Sequence, residues 1–157
     1  MDKGTALVGI IAVSLFALPF VLDHRRRASR TKRLLHPLLA KAAEHQCTLS
    51  HKEICGESAL GWDESKMIFF HSADSAEGGN AICIDLHKVR NCEVLLDGKP
   101  ARGVANDAPQ RIELSFPAKQ SGASDMRICL YRHEPGFTLQ DELRVAQEWA
   151  HRINARL

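Results

Sequence analysis

The sequence predicts an α+β chain: an N-terminal transmembrane helix, then a seven-stranded antiparallel barrel or sheet capped by a C-terminal helix. Three observations carry this. Residues 5–22, TALVGIIAVSLFALPFVL, contain no charged side chain. Between residues 47 and 132, short runs rich in β-branched, aromatic and Cys residues alternate with turn residues. Residues 138–157 then carry apolar side chains at helical spacing.

The first element is expected to be an anchor over 1–23. Its uncharged run of 18 residues would span roughly 27 Å as a helix, at the lower end of what crosses a bilayer core. A cleaved signal peptide fits less well, because Asp2 accompanies Lys3 and the exit FALPFVLD is bulky where a peptidase wants small residues. The basic residues follow the run instead: Arg25, Arg26, Arg27, Arg30, Lys32 and Arg33. By the positive-inside rule this flank stays cytoplasmic, so the N-terminus crosses and the rest of the chain does not. That predicts a single-pass protein of the cell (inner) membrane, with residues 24–33 as a basic juxtamembrane linker.

Residues 34–157 read as the globular domain. A short helix is expected from about His36, with Pro37 in its first turn. Seven strands follow, at 47–54, 58–63, 67–71, 81–86, 91–97, 111–116 and 126–132. In the sixth, Ile112, Leu114 and Phe116 alternate with Arg111, Glu113 and Ser115, the pattern of a strand with one buried face. The loops fall at 72–80 and 98–110. The closing helix, 138–156, would start at a Thr138–Asp141 capping box, with Leu139, Leu143, Ala146, Ala150, Ile153 and Leu157 as its apolar stripe, flanked by Val145 and Trp149.

Charge divides in the same place. Beyond residue 33 there remain 14 basic and 17 acidic residues, a net charge of about −3. Such a domain lacks the basic face that nucleic-acid binding requires, so no nucleic-acid partner is expected.

Seven strands and one amphipathic helix resemble the pleckstrin-homology-like barrel, in which a C-terminal helix plugs one end, with Trp149 standing where such a plug would. The segments QCTLS, ALGWDESKMIFF, CIDLHKVRNCEV, IELSF, ICLY and LQDELRVAQEWAHRIN also resemble short single-pass membrane proteins of Bacteroidetes-type bacteria. The resemblance implies a cytoplasmic pleckstrin-homology-like domain and brings no assigned activity. The basic first strand pair of phosphoinositide-binding relatives is missing, since only Lys52 stands there, beside Glu53.

Chemistry-bearing residues are sparse. Cys47, His51 and Cys55, with His45 nearby, are ligand types that suit zinc, but on one strand the two thiols would lie about 26 Å apart. No metal or cofactor is therefore expected. Cys83 and Cys129 lie in apolar strands and read as packing residues. Asp85 and His87 could share one side of a strand, yet no G-x-S-x-G accompanies them. Lys99, Arg102 and Arg111 around the 98–110 loop are the candidate binding residues, and no catalytic residue is assigned. The expected function is a membrane-anchored binding or scaffolding module with a protein partner at the cytoplasmic face. The alternatives are an enzyme built on His51, Asp85, His87 or His133, and a sensor of the anionic membrane surface.

Overall fold

The computed structural model describes residues 29–73, 80–101, 108–134, 139 and 141–157. The expected anchor over 1–23 and the arginines at 25–27 lie outside these residues. Among the described residues, no helix is long and apolar enough to cross a membrane. Leu34–Leu157 forms one compact unit.

The first described element, α1, is a helix over 29–44. It begins earlier than Pro37 suggests, and the last residues of the expected linker belong to it. Pro37 costs it one hydrogen bond, but Leu34, Leu38 and Ala42 recur on one face and are buried. Four strands follow as an antiparallel meander: β1 His51–Cys55, β2 Ser58–Asp63, β3 Ile68–Ala73 and β4 Ala81–Asp85. A 3-10 turn, Leu86–Lys88, leads to the second sheet: β5 Glu93–Leu96, β6 Lys99–Pro100, β7 Arg111–Phe116 and β8 Met126–Arg132. Its order is β6-β5-β7-β8. The chain ends in helix α2, Glu142–Asn154.

The antiparallel strands and C-terminal helix agree with the expected class; the seven-stranded barrel does not. The described residues form eight strands in two four-stranded sheets, and β5 pairs with β6 and β7 rather than with β4. Between the sheets the 3-10 turn redirects the chain, and the segment after it is tied to the β7–β8 connection by a Val89–Ala118 bridge and two flanking bonds, Arg90 N–H to Pro117 O and Lys119 N–H to Lys88 O, both 2.8 Å. The unexpected strand β6 arises at Asp97-Gly98. Both residues have positive φ, 50° and 78°, as a two-residue type I′ hairpin requires.

β2 is buried along its whole length because the first sheet is covered on both faces. Ala59 and Phe70 face α1 in one apolar cluster, while Leu60, Trp62, Phe69 and Ile84 join the main core with β7, β8 and α2. Gly61 permits the close approach of α1, since a Cβ there would meet Leu49 Cδ1 at 2.9 Å and Leu38 Cδ2 at 3.1 Å. The expected strand before His51 is instead an arm held by Asp63, whose carboxylate accepts from Thr48 N–H at 2.8 Å.

α2 starts one turn later than expected. Asp141 is the N-cap without a side-chain cap bond, and Thr138 lies outside the described residues. Its buried face is Val145, Ala146, Trp149, Ala150 and Ile153. Trp149 is fully buried, edge-on to Phe69 at 5.6 Å, and its Nε1–H donates to Glu53 at 2.8 Å. Glu142, on the outward face by sequence pattern, is buried against the Gly56 turn.

Candidate functional site

Among the described residues the two sheets end in four edge strands, β1, β4, β6 and β8, and it is β4 that borders an apolar hollow. Strand β4 pairs with β3 on one side, and among the described residues no strand pairs with its other side. The β7–β8 connection runs opposite that edge, held there by the Val89–Ala118 bridge. Between them lies a hollow of about 470 Å³. Ile84, Val89 and Phe116 form its apolar floor, and Met126, 40% exposed, stands at its side.

The rim is polar, with Asp85, His87, Lys88, Lys119 and Gln120. The Asp85 carboxylate accepts from the His87 backbone N–H at 3.0 Å and pairs with Lys88 at 3.4 Å. It therefore caps the 3-10 turn rather than orienting the His87 imidazole. With Asp85 opposed by Lys88, Lys119 leaves the rim with one excess positive charge. An apolar floor with few polar groups around it is the usual composition of a binding site. The unpaired strand edge adds backbone donors and acceptors that an extended chain could take up.

Of the expected catalytic alternatives, Asp85 and His87 share the rim of this groove, whereas His51 and His133 lie elsewhere. His51 lines another hollow of about 600 Å³ beside the end of α2, where its Nε2 lies 3.8 Å from Glu64. Arg156 also pairs with Glu64, and Arg152 lies over the Trp149 ring at 5.4 Å. His133 follows β8, its Nδ1 3.4 Å from the Tyr131 hydroxyl. The zinc-type set separates too: Cys55 is in the core, His51 in that second hollow, and Cys47 beside α1. Among the described residues, no three His, Cys, Asp or Glu side chains could hold one metal ion.

Of the expected binding residues, Lys99 is exposed on β6 and Arg102 lies outside the described residues. Arg111 begins β7, where its guanidinium meets the buried Glu113 carboxylate at 2.7 Å. Its charge is thus compensated within its own strand. Of the basic flank, Arg30, Lys32 and Arg33 are exposed on the first turns of α1. Residues 74–79 of the first expected loop and 102–107 of the second lie outside the described residues, and β6 occupies part of the second.

Two polar features escaped the sequence reading. His71 is buried on β3, with Nε2 3.1 Å from Ser58 Oγ, and burial pushes its pKa down to about 4. The imidazole is neutral at ordinary pH and satisfies the equally buried Ser58. The second is a thiol–imidazole pair: Cys83 Sγ lies 3.3 Å from His45 Nε2, although 38 residues separate them in sequence. Only the docking of α1 on β3 and β4 creates that pair. Searches of family models, curated proteins and solved structures return no match to this chain.

Proposed function

We propose that the domain is a binding module that takes an extended, acidic peptide along the free edge of β4, with its apolar side chains in the adjoining groove. The observation that carries this reading is the combination of an unpaired strand edge with an apolar floor and a net-positive rim. Strand addition draws affinity from main-chain hydrogen bonds and specificity from pockets for alternate side chains. The scattered His and Asp residues support binding over catalysis, because no nucleophile, base and orienter converge in the groove.

The module is held at the cytoplasmic face of the cell membrane by the uncharged run 5–22, with the arginines that follow setting its orientation. A protein segment at that surface is then the natural partner. Fusing a C-terminal reporter that works only outside the cytoplasm tests the orientation; it should be inactive, and activity would reverse the topology.

Binding itself is tested with two labelled peptides, one alternating valine with glutamate and one alternating valine with lysine. The acidic peptide should bind the full-length chain about tenfold more tightly at low salt, with the difference shrinking as salt rises. Equal affinity would remove the charge argument. Absence of binding by both would remove the groove as a peptide site.

A further inference from the structure

The Cys83–His45 pair stands apart from the groove reading and does not depend on it. All five cysteines are free thiols, but their surroundings differ. Burial pushes Cys55 and Cys92 up to about 12, which leaves them as inert core groups. Cys47 is also raised, first by burial and then by the charge of Asp63. Cys129 is half-buried on β8 and donates to Tyr131 O at 3.4 Å. Cys83 is the half-buried thiol with an imidazole at hydrogen-bond distance, on the α1 side of β4.

The surroundings hold this geometry. Phe70 is the cross-strand partner of Cys83 and packs its ring against His45, with centroids 6.2 Å apart. Lys66 Nζ donates to His45 O at 3.1 Å and Gln46 O at 2.5 Å, fixing the backbone that carries the imidazole. The ionisable groups about the pair are Lys41 and Glu44 from α1 and Cys47, which itself feels Asp63 at the end of β2 and Lys66 in the turn after it; Asp85 stands two residues along β4 from Cys83. Lys41 and Glu44 pair with each other at 2.8 Å, and Lys41 also feels the Cys83 sulfur.

We propose that Cys83 is a thiol-modification site for small disulfides of the glutathione class, with His45 as its proton acceptor. The thiol proton passes to His45 Nε2 as the sulfur attacks one sulfur of the disulfide. A bond forms between Cys83 and that sulfur, the disulfide's own S–S bond breaks, and the departing thiolate takes the proton from His45. Cys83 is oxidised to the mixed disulfide, and one equivalent of small thiol is the reduced product.

The test is mass mapping of the reduced full-length chain during exposure to oxidised glutathione between pH 6 and 9. At pH 7 Cys83 should acquire the adduct about tenfold faster than Cys129, as expected for a thiol with an adjacent proton acceptor. His45→Gln should abolish that advantage while leaving Tm unchanged. In urea the ratio of the two rates should fall to about one, because the pair exists only in the fold. Equal rates in the native chain, a ratio that survives urea, or an unchanged rate in a folded His45→Gln variant would each overturn the assignment.

Discussion

Asp63 and His71 show how single side chains set both local geometry and acid sensitivity. Burial would raise the Asp63 carboxyl, but bonds from the Ser65 hydroxyl and the Lys66, Thr48 and Ser65 backbone N–H groups outweigh it, holding the pKa at about 2. Asp63→Ala should cost roughly 3 kcal/mol by urea unfolding, since hydrogen bonds to a charged group and the docked arm are lost together. His71 acts at higher pH. Its folded pKa of about 4 lies below the usual 6.5, so the unfolded chain binds a proton that the folded chain refuses. Its contribution is fully present above pH 6.5, falls as pH drops, and is gone below about 4. The loss should reach about 3 kcal/mol, and His71→Gln should flatten that part of the pH profile. Asp63 titrates lower: its contribution is present above about 3.8 and lost as pH falls toward 2. A His71→Gln variant that keeps the full pH 6.5–4 slope would exclude this role.

Helix α2 is fastened to the second sheet and the first hairpin by specific contacts as well as by apolar packing. The Asn154 amide accepts from Cys92 N–H and donates to Cys92 O, both at 2.7 Å, pinning the helix end to the chain before β5. Asn154→Ala should cost about 2–3 kcal/mol, because it strands both backbone groups. Trp149→Ala should cost about 3–5 kcal/mol, and Trp149→Phe only about 1, since Phe keeps the packing with Phe69 and loses the bond to Glu53. Equal melting points for Trp149→Ala and the parent would place that side chain outside the core. The burial of Trp149 was legible from the helical period, and β2, β7 and β8 from their apolar runs and bounding turns. The end of β4 and the start of β5 were not, because pattern alone does not show where one sheet stops and another begins. The β6 hairpin was written in Asp97-Gly98, a local turn signal obscured by the long loop that follows it. The groove and the Cys83–His45 pair were hidden for a different reason: both depend on segments far apart in sequence, and no local rule brings His45 to Cys83.

At the scale of the whole molecule, edge strand β4 lies beside an apolar hollow, and the sequence carries an uncharged run before a basic flank. The proposed working surface is β4, with Lys119 drawing an acidic segment to it. Main-chain pairing along the strand is the central claim, so backbone hydrogen exchange tests it most directly. Exchange across Ala81–Asp85 should be measured by NMR with the valine–glutamate peptide, and with the same peptide N-methylated at alternate residues. The account predicts that the unmodified peptide protects amides in β4 and that the methylated one does not. Binding that leaves β4 exchange unchanged, or equal protection by both peptides, would contradict it.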